Sequence, residues 1–174
     1  MMNKIVVIGN SASGKSTLTM KIKEIINLPV YHLDKILWKP GWERTPEDEF
    51  KKEHDKILNS EKWIIDGVAY KSTIEKRFKA ADIIVFIDPS LEVCKERALQ
   101  RMHEDLERPN PYVSEGCPYP LELVEEQNKT IEMFHKEYRE YVLELVEKYK
   151  TSKKTFHLET EEDVEKFLMD LTIF

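Results

Sequence analysis

Eight residues near the start of the chain, Gly9-Asn10-Ser11-Ala12-Ser13-Gly14-Lys15-Ser16, follow the pattern G-x-x-x-x-G-K-[ST] without exception. Glycine lets a backbone take positive φ angles and approach an anion without a Cβ in the way. The amides of such a loop converge on a concavity, and the helix that starts there adds the positive end of its dipole. Lys15 then reaches β- and γ-phosphates, the Ser16 hydroxyl is placed to ligate Mg²⁺, and Thr17 lies beside it. The chemistry these types and spacings serve is the binding of MgATP.

Three acids stand where they can join that chemistry. Asp66 follows the apolar run Trp63-Ile-Ile65, and Asp88 follows Ile83–Ile87. Either can hold Mg²⁺ directly or through water, and either can serve as a strand-ending turn residue, so spacing alone leaves the two open. Asp34 follows Val30–Leu33. A carboxylate there, across the loop from the γ-phosphate, can orient an acceptor hydroxyl and take its proton; the alternative is a helix or turn cap. Arg97 and Arg101 are spaced i,i+4, share one helix face, and can clamp one anion or stand as solvated charges. Trp38 and Trp42 flank a Pro-Gly turn, where they stack on a ring of a ligand or pin the loop to the core. Tyr70 and Arg77 are weaker acceptor-side candidates, and Arg139 reads as a surface charge, the alternative being a place facing the phosphates from behind the lid. The five histidines show no metal-ligand spacing, and Cys94 fits an apolar helix face.

These residues need a scaffold of alternating strands and helices. Apolar runs at residues 4–8, 30–33, 63–65, 83–87 and 155–158 read as strands. Helical patterns fill 16–27, from Thr45 onward, 70–80, from Ser90 to about 106, 121–149, and from Thr160 to about 168; residues 34–44 and 108–120 read as loops, the latter with four prolines and Gly116. The alternation predicts one α/β domain over residues 1–174 with a mostly parallel sheet. The net charge of -6 argues against a basic nucleic-acid face, so no direct nucleic-acid partner is expected. Two distant cysteines fit reduced thiols, no apolar run approaches a membrane span, and Ile5–Ile8 is too short for a leader. The expectation is a cytoplasmic protein, monomer or homodimer, with ATP and a small-molecule acceptor as partners.

The N-terminal loop, His32-Leu33-Asp34, Trp38-Lys-Pro-Gly-Trp42, Trp63-Ile-Ile-Asp-Gly67 and Arg97-x-x-x-Arg101 together resemble the bacterial DNA topology modulation proteins, which are adenylate-kinase-like P-loop proteins. The likeness spans nearly the whole chain. It implies a three-layer P-loop NTPase fold with a five-stranded parallel sheet in the order 2-3-1-4-5. It also implies an acceptor-side segment at about 34–60 and a lid at about 107–120. It makes Asp66 the magnesium-side aspartate and Arg97 and Arg101 the phosphate-facing arginines, with Arg108 facing the site from the lid. Adenylate kinases carry Gly-Phe-Pro-Arg after the aspartate, where this chain has Gly67-Val-Ala-Tyr70. The missing arginine weighs against AMP and for a hydroxyl acceptor, and no four-cysteine zinc lid is expected. The rivals are a nucleoside monophosphate kinase, with only Arg44 and Arg77 to hold the second phosphate, and a non-enzymatic nucleotide-dependent regulator linked to DNA topology. A GTPase is disfavoured, because Asn128-Lys-Thr-Ile131 lacks the guanine-reading aspartate.

Overall fold

A computed structural model describes residues 3–105, 110–117 and 124–172. Five apolar runs form one parallel sheet: β1 (Lys4–Gly9), β2 (Val30–His32), β5 (Trp63–Asp66), β6 (Ile83–Ile87) and β7 (Lys154–Leu158), in spatial order β2-β5-β1-β6-β7. Numbered in chain order, these five strands run 2-3-1-4-5, as the resemblance implied. The sheet is covered on both sides, which is why its central strands are apolar runs rather than alternating patterns. Val6, Ile8, Ile65 and Phe86 face one core, with Phe50, Phe78 and Val142. Ile5, Val7, Ile64 and Val85 face the other, with Leu18, Ile22, Phe167 and Leu171.

The helices supply those layers. α1 (Lys15–Ile26) and α8 (Glu161–Thr172) cover one face; α3 (Glu47–Leu58), α4 (Lys71–Ala80) and α7 (Arg139–Tyr149) cover the other. Two predicted caps form: Val93 N donates to Ser90 Oγ at the start of α5 (Leu91–Asp105), and Thr160 and Asp163 exchange backbone-to-side-chain bonds at the start of α8.

Three segments differ from the sequence expectation. Residues 34–44 are not an open loop: they form the short helix α2 (Asp34–Leu37) and a hairpin of β3 (Trp38–Lys39) and β4 (Glu43–Arg44). The Pro40-Gly41 turn makes the hairpin possible, since Gly41 takes φ 78°. α3 begins at Glu47 rather than Thr45, because Pro46 keeps an extended ψ of 143° and Thr45 O instead accepts from the Tyr70 hydroxyl. The long helix expected over residues 121–149 is broken into α6 (Val124–Met133), a π-helical turn (Phe134–Tyr138) and α7. The wider turn resets the buried stripe, from Ile131 and Phe134 before it to Val142, Leu145 and Val146 after it.

Parallel register brings the chemistry to one edge. Val7 pairs with Asp66, His32 with Asp66, and Gly9 with Ile87. The carboxyl ends of the strands therefore share one crevice, where ligands of open α/β sheets bind.

Candidate active site

The loop of residues 9–14 closes tightly against β6. A Cβ on Gly9 would lie 2.2 Å from Ile87 O, so only glycine fits there. Ala12 and Gly14 take positive φ, 57° and 99°, and α1 starts on Gly14. Lys15 Nζ donates to Asn10 O at 2.6 Å. The loop is also held from outside the motif: Asn10 Nδ2 donates to Ile131 O at 2.9 Å, and Ala12 packs with Cys94, Ala98 and Ile131. Asn10 and Ala12 thus tie the loop to α5 and α6.

Lys15 and Asp34 keep some access to solvent from the cleft, yet their surroundings are deep enough for desolvation to dominate both. Burial pushes the Lys15 ammonium below its ordinary pKa, against the opposing pull of Asp34 and Asp66. Burial pushes the Asp34 carboxyl up, against the pull of Lys15. Arg101 acts on both groups as a nearby positive charge. Lys15, Arg101, Asp34 and Asp66 therefore form one charge cluster. Asp34 enters it as the first residue of α2, rather than as the end of a strand.

The two strand-ending aspartates have different partners. Asp66 is buried, and His32 Nδ1 lies 2.9 Å and 3.0 Å from its two oxygens. Asp88 faces Arg139 and His157: Arg139 Nη2 and His157 Nε2 each lie 2.9 Å from Asp88 Oδ2. Arg139 is thus an ion-pair partner and not a lone surface charge. His32 and His157 are site neighbours and not bystanders. Their positions opposite strand-ending aspartates carry no local sequence signal, because the pairing is made across the sheet.

Arg97 and Arg101 separate. Arg97 Nη1 donates to Ser13 O at 3.0 Å, and its Nη2 meets Glu161 Oε1 at 2.5 Å. Arg101 lines a cleft of about 230 Å³ with Lys15, Ser16, Thr17, Asn110 and Tyr112. Arg108 lies outside the described residues, as do both ends of the expected lid. Residues 110–117 form a strap across the site. The Tyr112 ring sits 4.8 Å from the His32 ring, Ser114 Oγ lies 2.8 Å from Lys35 O and 2.5 Å from Trp38 O, and Gly41 N donates to Gly116 O at 2.7 Å. Trp38 and Trp42 meet edge to face at 5.6 Å, and Trp38 packs against the core, so the pair pins the hairpin.

A groove of about 520 Å³ opens on the other side of Gly14. Thr17, Leu18, Ile87, Val93, Leu158 and Val164 give it an apolar wall, and Arg97 and Glu161 stand at its mouth.

Among solved structures, the chain is similar to a shikimate kinase from Acinetobacter baumannii in complex with shikimate, at TM-score 0.57 and 16% identity, covering 98% of this chain and 91% of the other. It is similar to a gluconokinase from Sinorhizobium meliloti, at TM-score 0.52 and 21% identity, covering 98% and 92%. A sugar kinase from a Janibacter species gives TM-score 0.52 and 17% identity, covering 99% and 91%. The shared feature is the fold. This chain has the three-layer P-loop NTPase fold. No family model matches the chain, and no curated protein does. Among the described residues, no helix is long and apolar enough to cross a membrane.

Proposed function

We propose that this protein is an ATP-dependent phosphotransferase that moves the γ-phosphate of MgATP onto a hydroxyl of a small acceptor. The observation that carries the reading is the meeting of Lys15, at the end of an intact phosphate loop, with Asp34, a desolvated acid raised in pKa on the facing segment. The loop amides and the N-terminus of α1 hold the phosphates, and the apolar groove beside Gly14 takes the base.

The donor set fits magnesium: a serine hydroxyl and a buried carboxylate are hard oxygen ligands. Ser16 would ligate the ion and Asp66 would hold it through water, and the ion would offset phosphate charge. Lys15 and Arg101 orient the transferred group. Asp34 accepts a hydrogen bond from the acceptor hydroxyl. As the acceptor oxygen bonds to the γ-phosphorus and the bond to the β-phosphate oxygen breaks, the hydroxyl proton passes to Asp34 and ADP leaves. Arg97 reaches the phosphates after exchanging Glu161 for them.

In this reading residues 1–174 act as one domain, with the acceptor segment at about 34–60 and the lid at about 107–120, among the DNA topology modulation proteins that the motifs resemble. Two free cysteines, Cys94 and Cys117, suit a reducing cytoplasm. Two of the similar solved structures are a shikimate kinase and a gluconokinase, which supports a hydroxyl acceptor.

The test joins a binding measurement to turnover. Calorimetry should show MgATP binding that Lys15→Ala abolishes, and an ADP-coupled assay against nucleosides, nucleotides, sugars and sugar acids should find an acceptor. Equal MgATP affinity in wild type and Lys15→Ala would remove the basis of the reading.

A further inference from the structure

Arg77 is wholly shielded from solvent, and among the described residues it meets no carboxylate. Nη2 donates to Val68 O at 2.9 Å and to Gly67 O at 3.4 Å, and Nη1 donates to Thr73 Oγ1 at 2.9 Å. Nε has no acceptor among those residues. Burying a guanidinium without a counter-ion is costly, and desolvation brings its pKa down to about 9, which still leaves it charged at neutral pH. The neighbouring His54 ring is held near pKa 4 by burial and by Arg77, so it stays neutral there and supplies no compensating charge. A neutral amide would pin two carbonyls equally well. The positive charge needs another reason.

The carbonyls of Gly67 and Val68 belong to the peptide units that end in the amides of Val68 and Ala69. The peptide bonds of the described residues are all trans, and in a trans unit the N–H points opposite the carbonyl. The Val68 and Ala69 N–H groups are therefore directed away from Arg77. Among the described residues neither meets an acceptor. Gly67 and Ala69 take positive φ, 118° and 54°, on either side of Val68. Successive amides turned the same way by left-handed residues make an anion-binding concavity, and the buried charge polarises both units so that these donors strengthen. The loop borders the candidate acceptor acid: a Cβ on Gly67 would come within 2.9 Å of Leu33 Cβ, and Leu33 precedes Asp34. Its far end is tied to the acceptor segment by the Tyr70 hydroxyl on Thr45 O at 2.5 Å.

We infer that the loop of residues 67–70 is an oxyanion site, where the Val68 and Ala69 amides hold a carboxylate or phosphate of the acceptor while Asp34 takes its hydroxyl. The acceptor is then a hydroxylated anion, and Arg77 is a positioning residue that sets the two amides without touching the ligand. That the ligand is the acceptor rests on the kinase reading; the oxyanion site itself does not.

The wild-type protein, saturated with Mg²⁺ and AMP-PNP so that the phosphate loop is filled, is titrated with acetate, inorganic phosphate, gluconate and the neutral counterpart sorbitol. Backbone amide resonances are followed by NMR. The expected result is that an anion shifts the Val68 and Ala69 amides together and sorbitol shifts neither; acetate and gluconate against phosphate tell which oxyanion is preferred. Arg77→Gln should weaken the anion roughly tenfold or more, the scale of a hydrogen bond to a charged group, with AMP-PNP affinity unchanged, and Arg77→Lys should recover part of the loss. The inference is overturned if no anion moves these amides, if sorbitol moves them equally, or if Arg77→Gln binds the anion as tightly. Should Arg77→Gln fail to fold, the wild-type titration decides alone. Absence of AMP-PNP binding at the outset would count against the kinase reading instead, and the anion titration would still be read on the same two amides.

Discussion

Arg139 Nη2 stands 2.9 Å from Asp88 Oδ2, so the carboxylate that follows β6 already holds a cation when the rest of the site is assembled. His157 Nε2 completes the pair at 2.9 Å from the same oxygen. Asp66, two strands over on the far side of β1, has a histidine for its partner and shares its charge with Lys15. This separation suits Asp66 for the proposed water-mediated hold on Mg²⁺ and Asp88 for tying α7 and β7 to the sheet.

The division can be measured. Asp66→Asn should raise the Mg²⁺ concentration needed for half-maximal activity while leaving the melting temperature little changed. Asp88→Asn should do the reverse, lowering stability by about 1–3 kcal/mol because the buried ion-pair partner of Arg139 is neutralised, with the Mg²⁺ requirement kept. A magnesium titration and a thermal melt of both variants check it; a shifted magnesium requirement in Asp88→Asn alone would reassign the role.

Asp34 should show a conflict between stability and function. Its folded pKa is raised, so the folded state binds its proton more tightly than the unfolded chain, and stability falls as pH rises from the ordinary carboxylate range through the folded value. At neutral pH the ionised group therefore costs stability, and Asp34→Asn should melt higher than wild type. The same variant should cut turnover by roughly 10²–10⁴-fold, the scale of a lost general base, with ATP affinity nearly intact. Because the base must be ionised, wild-type activity should fall on the acid side at a pH above the ordinary carboxylate range. Undiminished phosphorylation of AMP or another nucleoside monophosphate by Asp34→Asn would move the protein to the nucleotide-kinase class.

Acid should also act on the core, through a different residue. His54 is buried and its pKa is lowered to about 4, first by desolvation and then by Arg77. A lowered histidine pKa means that protonation favours the unfolded chain. Stability should be full above the unfolded value near 6.5 and fall as pH drops toward 4, by an amount on the order of 3 kcal/mol if the whole shift is expressed. Denaturant midpoints from pH 7 to pH 4 check this: His54→Gln should flatten the dependence, and an unchanged slope would place the acid lability elsewhere.

The parts of this molecule legible in the sequence are those written in consecutive residues. The phosphate loop, the sheet strands and the caps at Ser90 and Thr160 depend on local spacing and local backbone chemistry. The hairpin of residues 38–44 leaves no such mark, because each of its strands is two residues long, too short for a periodicity. His32 and Arg139 took their roles from partners 34 and 51 residues away. The unpaired charge of Arg77 was invisible for the same reason, since nothing local says that a lysine- and arginine-bearing helix turns one cation inward. Asn10 and Ala12 occupy freely variable positions of the loop pattern, and only packing against α5 and α6 gives them a task.

The strap of residues 110–117 offers the last test, since it touches both the cleft at the phosphate loop and the segment proposed to take the acceptor. Asn110 and Tyr112 line the cleft over Lys15 and Ser16, while Gly116 O and Ser114 bond the backbone at Gly41 and Lys35. A nucleotide that draws the strap onto the phosphates should therefore also steady the hairpin, and lids of this kind close to exclude water. The Gly41 amide, bonded to Gly116 O at 2.7 Å, reports that docking directly. Its hydrogen exchange should slow when Mg²⁺ and an ATP analogue bind. Ser114→Ala, which removes the hydroxyl set between Lys35 O and Trp38 O, should speed it and raise the acceptor KM more than the ATP KM. Exchange at Gly41 that ignores both the nucleotide and Ser114→Ala would make the strap a fixed wall of the site, with no part in closing it.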